Sequence, residues 1–147
     1  MNSDYYNNIG FGVVALGAVL NKSQEISISK LFLILPLLSH HELLQYLSRK
    51  TTKVMSIEKL LVERISFFTN FTKRYYASLC LTINALQYLN DLGYVKIENS
   101  NVTLLIPFDY DSGMGKRADK VFLASNNVSQ LLKDRVDKLY MNLRVEI

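Results

Sequence analysis

Residues 75–106 constrain this chain more than any other stretch, because they pair a helical pattern with a glycine stop and two strand patterns. Between Tyr75 and Leu92 apolar residues recur at helical spacing, once through Leu79, Ile83 and Leu86 and again through Leu81, Ala85, Leu89 and Leu92. Gly93 follows the last periodic leucine, where a helix ends most readily in positive φ. Tyr94-Val-Lys-Ile-Glu98 then alternates apolar and polar, Asn99-Ser-Asn101 supplies turn residues, and Val102-Thr-Leu-Leu-Ile106 reads as a returning strand. Helix, glycine and hairpin form the second half of a winged helix-turn-helix domain.

That fold commonly reads DNA, and the charges on this helix argue otherwise. A reading helix offers Arg, Lys, Asn or Gln to phosphates and base edges. Residues 75–92 contain no Lys or Arg, and Asp91 is their one charge. Asn84, Gln87 and Asn90 keep base contacts open, and Lys73 and Arg74 precede the helix within reach of phosphates. A helix with two apolar faces has more apolar surface than one small core needs. The sequence therefore favours a winged helix that binds protein with the surface its relatives turn to DNA.

The rest of the chain reads as helices around this core. Tyr5 and Tyr6, then Asn7 and Asn8 as a cap, precede an apolar helix over residues 9–20, which is 12 residues long. Gly10, Gly12 and Gly17 weaken that helix by about 1 kcal/mol each relative to Ala, and imply close packing against another helix, in this chain or a second one. Residues 21–29 read as loop, with Ser27 or Ser29 capping a helical stretch over 30–49 that Pro36 kinks or splits. After a solvated basic turn at 49–53, Ser56 caps a helix over 57–68, the partner of 75–92 in the helix-turn-helix pair, with 70–74 as the turn. Residues 107–115 read as loop, followed by helices over 116–124 and 128–143. The expected fold class is mostly α with a β-hairpin wing (α+β): a single domain over 1–147, with N-terminal helices to 55, a winged-helix core over 56–106 and C-terminal helices over 116–147.

Composition narrows the function classes. With 49% apolar and 20% charged residues the 147-residue chain is globular, and its net charge of +4 is a mild bias spread along the chain. The apolar runs 9–20 and 31–38 fall short of the ~20 residues a bilayer demands, and Asp4 precedes the first without any Lys or Arg. One cysteine, Cys80, forms no internal disulfide, and a soluble cytoplasmic protein is expected.

No constellation of residues carries catalysis. His40 and His41 are adjacent, so on a helix they point about 100° apart and cannot share a metal. A polar helix face is the plainer reading of His40-His41-Glu42. Asp109-Tyr-Asp111-Ser-Gly113 opens like a calcium loop, yet Lys120 stands where the bidentate glutamate belongs. Gly113-Met-Gly-Lys116 lacks the spacing and the strand of a phosphate loop. Cys80, between Leu79 and Leu81, reads as a buried thiol. No cofactor is expected.

With these pieces placed, the chain resembles the middle components of three-component ABC systems, small subunits of bacterial conflict and anti-phage operons such as the Lamassu type. The resemblance lies in Asn8 with Phe11-Gly12, in Leu31-Phe-Leu-Ile-Leu-Pro-Leu-Leu38 followed by His40, and in residues 78–93. It continues in Lys116-Arg-Ala-Asp-Lys120 with Phe122 and Ala124, and in Leu139-Tyr-Met-Asn-Leu-Arg-Val145. Lys120-Val-Phe-Leu123 departs from the Gly-Arg-Trp-Phe-like run such proteins often carry. The resemblance implies a non-enzymatic adaptor whose partners are an SMC/Rad50-like ABC ATPase and an effector, often a nuclease. A stand-alone winged-helix regulator that binds DNA is the alternative.

Two residue sets follow as expectations. Leu79, Ile83 and Leu86 face the core toward Leu61 and Ile65, leaving Tyr75, Thr82 and Gln87, with Tyr94 and Lys96 of the wing, as the partner interface. Arg49, Lys50, Lys53, Lys73 and Arg74 are the candidate phosphate contacts, for non-specific DNA binding at most.

Overall fold

Helix α1 (Ser3–Ser23) is the axle of the fold: in the computed structural model it packs on both α6 (Phe71–Asp91) and α7 (Lys116–Leu131). The structure describes residues 3–109 and 112–146, with only the backbone of 3–8 and 112. Helical backbone from Ser3 passes through Asn7 and Asn8, so the expected cap there is not a helix start; the side chains of Tyr5, Tyr6, Asn7 and Asn8 lie outside the described set, as do Tyr110 and Asp111. Ala15, Leu16, Ala18, Val19 and Leu20 are wholly buried, which explains a helix with no polar face. The partner that its glycines imply is in this chain. A Cβ on Gly12 would lie 3.1 Å from the Ala85 Cβ of α6, and one on Gly17 would lie 2.5 Å from the ring of Phe108.

Those distances give opposite expectations for two substitutions in one helix. Phe108 cannot easily retreat from Gly17. Asn21 accepts from its N–H at 2.8 Å and donates to its carbonyl, while the rings of Tyr94 and Phe122 flank it at 5.6 and 6.2 Å. Overpacking costs roughly 1–3 kcal/mol, more than the ~1 kcal/mol that a helical Gly→Ala returns. Gly17→Ala is therefore expected to lower the melting temperature. At Gly10 an added Cβ meets nothing within 4 Å, so Gly10→Ala should raise it. Equal shifts of one sign in thermal melts would contradict the packing described here.

The second apolar run is also spent inside the chain. Residues 28–48 form three short helices, α2 (Ile28–Leu31), α3 (Ile34–Leu38) and α4 (His41–Ser48), so the expected stretch over 30–49 is split and not merely kinked. Pro36 falls in the first turn of α3, where a missing N–H costs nothing. Every residue of α3 is buried. Ser27 caps α2 through the Lys30 N–H, and His40, expected on a polar helix face, instead caps α4, its Nδ1 accepting from the Leu43 N–H at 3.1 Å. Burial first, then the charge of Arg74, holds the His40 imidazole below its usual value, keeping that acceptor free of a proton.

Residues 21–29, expected as loop, contain a strand. β1 (Glu25–Ser27) pairs antiparallel with β3 (Asn101–Leu104), which pairs antiparallel with β2 (Val95–Glu98), giving the order β1-β3-β2. Ile26 opposes Val102, and Val102 opposes Ile97 across the hairpin. Asn99 and Ser100, both at positive φ, make the two-residue turn that fits the twist of a hairpin. Gly93, at φ 81°, ends α6 as expected: its N–H donates to the Asn90 carbonyl and the Tyr94 N–H to that of Leu89. The hairpin is thus tied to the helix before it.

Ser56 caps α5 (Ile57–Glu63), as its position implies, but the expected helix over 57–68 breaks at Arg64 into a 3-10 turn over Ile65–Phe68. α6 starts at Phe71, four residues earlier than periodicity suggests. Its main helix contacts are α1 and α3, while α5 turns toward α8 (Val136–Leu143), so α5 and α6 are not the packed pair expected of a helix-turn-helix. α7 is continuous through Ser125-Asn-Asn127, where a break was expected.

Candidate interaction surface

α6 buries the stripe that was assigned to a partner. Tyr75 and Thr82 are buried inside the chain, with Ala85, Leu86 and Leu89, whereas Ile83 is 54% exposed. The pair of tyrosines shows why. Tyr140 of α8 donates to the Ser29 carbonyl, and its oxygen, 3.1 Å from that of Tyr75, accepts the Tyr75 proton. Burial first, and then the Tyr75 hydroxyl, push the Tyr140 phenol well above its usual value, so Tyr140 keeps its proton. Tyr75 is thus an internal tie from α6 to α8 and, through Tyr140, to α2. It is no docking residue, and Thr82, wholly buried on the same stripe, is excluded by the same geometry.

The outer face of α6 is what the fold leaves open. Tyr76, Ala77, Cys80, Ile83, Gln87 and Tyr88 recur at helical spacing and all are exposed. Cys80 is therefore a surface thiol, contrary to the buried one expected. Between Arg74 and Asp91 the helix carries no charge, so this face is about 20 Å of apolar and neutral polar surface from Tyr76 to Tyr88. Leu92, just past the end of α6, and Ile97 of β2 are exposed as well.

Of the other residues expected at an interface, Gln87 lies on this face and donates to Asp91 at 2.8 Å. Lys96 is exposed on β2 and pairs with Glu98 at 2.5 Å. Tyr94 is half-buried against Phe108. The basic set divides likewise. Arg49, Lys50, Lys53 and Lys73 are exposed. Arg74 is not available: its guanidinium donates to the Pro36 carbonyl at 3.0 Å and to that of Phe67 at 3.1 Å, closing the ends of α3 and of the 3-10 turn.

A second apolar surface went unread in the sequence. A groove of about 750 Å³ runs between α5 with its 3-10 turn and α8, lined by Leu61, Val62, Ile65, Thr72, Met141 and Arg144. Val62 is 83% exposed and Met141 75%. Single exposed apolar residues are ordinary, but several lining one groove make it a candidate interaction surface. Helical periodicity could not find it, because its walls come from elements about 80 residues apart.

Among the described residues no three His, Cys, Asp or Glu gather to hold a metal ion. No described helix is long and apolar enough to cross a membrane. Residues 15–147 match the family model of the ABC-three component (ABC-3C) system Middle Component 3. The chain belongs to this family. No curated protein and no solved structure matches it. Membership in a three-component system implies partner components.

Proposed function

We propose that this middle component is a non-enzymatic adaptor that holds an SMC/Rad50-like ABC ATPase and an effector, often a nuclease, in one bacterial defence complex of the Lamassu kind. One observation carries the reading: the helix before the wing turns outward a face of Tyr76, Ile83 and Tyr88 with no cation between Arg74 and Asp91. A reading helix would present phosphate and base contacts there. The strand order β1-β3-β2, with the hairpin directly after α6, supports a winged-helix ancestry. In this reading the domain has kept the strand order and the hairpin after α6, has lost the packed α5–α6 pair, and has exchanged its DNA ligand for protein.

The test is co-expression of the chain with the products of its neighbouring genes. Co-purification with both an ABC ATPase and an effector, in one peak by size exclusion, is expected. Purification alone, combined with tight binding to one DNA sequence at physiological salt, would instead establish a regulator.

A further inference from the structure

A cluster of cations remains that the adaptor role does not use. A cavity of about 270 Å³ lies between the turn after α3 and the first turns of α4 and α7, lined by Ser39, His41, Leu44, Lys116, Arg117 and Lys120. Three of these six are cations, one is an imidazole and none is a carboxylate. Glu42 and Asp119 are near in sequence, but neither lines the cavity, and the ion pairs of the described residues lie elsewhere, at Lys96, Arg135 and Lys138. Lys116 and Lys120 stand one helical turn apart, an arrangement of like charge that is repulsive until an anion enters.

The fold holds these groups in place. Arg117 stacks on the ring of Phe11 from α1, with 3.8 Å from its guanidinium carbon to the ring centre. α4 and α7 run in the same direction: Leu44 meets Lys120 at the cavity, and further along Asn127 donates to the Leu47 carbonyl. Both helices therefore bring their N-terminal ends to the same place. α7 starts after Gly115, whose lack of a side chain leaves its first N–H groups without a side-chain cap. Side-chain cations and helix ends act on the cavity with the same sign.

Size and access choose between anions. Sites that enclose a small molecule usually measure roughly 300–1,000 Å³, so this cavity suits a phosphate group and part of its sugar better than a whole nucleotide. His41, Lys116 and Arg117 are exposed at its rim, leaving room for a strand to pass. The geometry points to a phosphate-binding site for the backbone of a nucleic-acid strand, built from His41, Lys116, Arg117 and Lys120 and separate from the outer face of α6. It does not rest on the adaptor reading, whose test is co-purification.

The experiment uses the full chain and a short fluorescein-labelled single-stranded oligonucleotide, followed by anisotropy over a series of salt concentrations. Lys116→Gln combined with Lys120→Gln should weaken binding about tenfold or more and flatten the salt dependence by about one to two ions released. Lys50→Gln with Lys53→Gln, on the exposed basic turn, should change affinity less than about threefold. Melting curves establish that both variants fold. Unchanged binding in the first variant, or an equal loss in both, overturns the site. Displacement by polyglutamate at matched charge would show an acidic protein segment as the ligand, and displacement by micromolar ATP a free nucleotide; either overturns the assignment to a strand. Release by unlabelled oligonucleotide alone supports it.

Discussion

Replacing Asn127 with alanine is expected to lower stability by about 3 kcal/mol, a fall of about 10 °C in melting temperature for a chain of this size. Asn127 is 8% exposed in the middle of α7, where asparagine is a poor helix former. Its amide N–H groups donate to the carbonyls of Leu47 and Thr52 at 2.9 and 3.0 Å, and its Oδ1 accepts from the Val54 N–H at 3.1 Å. One side chain thus satisfies three backbone groups, one in the last turn of α4 and two in the segment between α4 and α5. Without it each loses its partner at roughly 1–3 kcal/mol, discounted where water can enter. Asn127→Asp should do no better, since a carboxylate offers those carbonyls no donor. Limited proteolysis gives a local readout: in both variants cleavage should move to the basic stretch at 49–53. A loss below about 1 kcal/mol, with cleavage unchanged, would mean that the segment is held by its own packing at Val54 and Ile57.

The same residue shows where sequence reading stops. Ser125-Asn-Asn127 has the composition of a turn, and local propensity alone breaks the helix there. The structure overrides propensity with tertiary bonds: Asn127 binds the 47–54 segment, Ser125 donates to the Phe122 carbonyl, and Ser129 meets Ser23 of α1 at 2.6 Å. β1 was missed for a related reason, because Glu25-Ile-Ser27 is too short to show alternation and its partner strand is about 75 residues away. What was legible was chemically local. Gly93 at positive φ, the Asn99–Ser100 turn, the Ser27 and Ser56 caps and the interruption near Pro36 each follow from the residues on the spot.

The helix α6 lies between these cases. Its pattern announces two apolar faces, and two apolar faces exist. Periodicity gives no rule for which one is covered. The choice falls to partners that only the fold supplies: Gly12 lets α1 come within contact of Ala85, and Tyr140 receives the Tyr75 hydroxyl. Tyr75 and Thr82 therefore moved from the expected interface into the core, and Ile83 moved out.

That inversion decides where the function should be tested. Ile83→Asp and Val62→Asp are expected to separate the two partners of the complex, each abolishing one association and sparing the other. Ile83 lies toward the hairpin end of α6, on its outer face, while Val62 lines the groove that reaches α6 at Thr72. Eleven residues of helix, about 16 Å, separate Thr72 from Ile83, enough for two partners to dock side by side. Both residues are mostly exposed, so neither substitution should shift the melt of the isolated subunit beyond roughly ±0.5 kcal/mol. At the centre of a docked interface, a buried aspartate without a partner is expected to cost about 2 kcal/mol or more, roughly a thirtyfold loss of affinity. Co-purification of each variant with the ATPase and the effector, scored separately, reads the result. If both variants assemble normally, neither surface is a docking site. If either variant loses both partners with an unchanged melt, the two partners share one continuous interface, and the adaptor joins them through contacts they also make with each other.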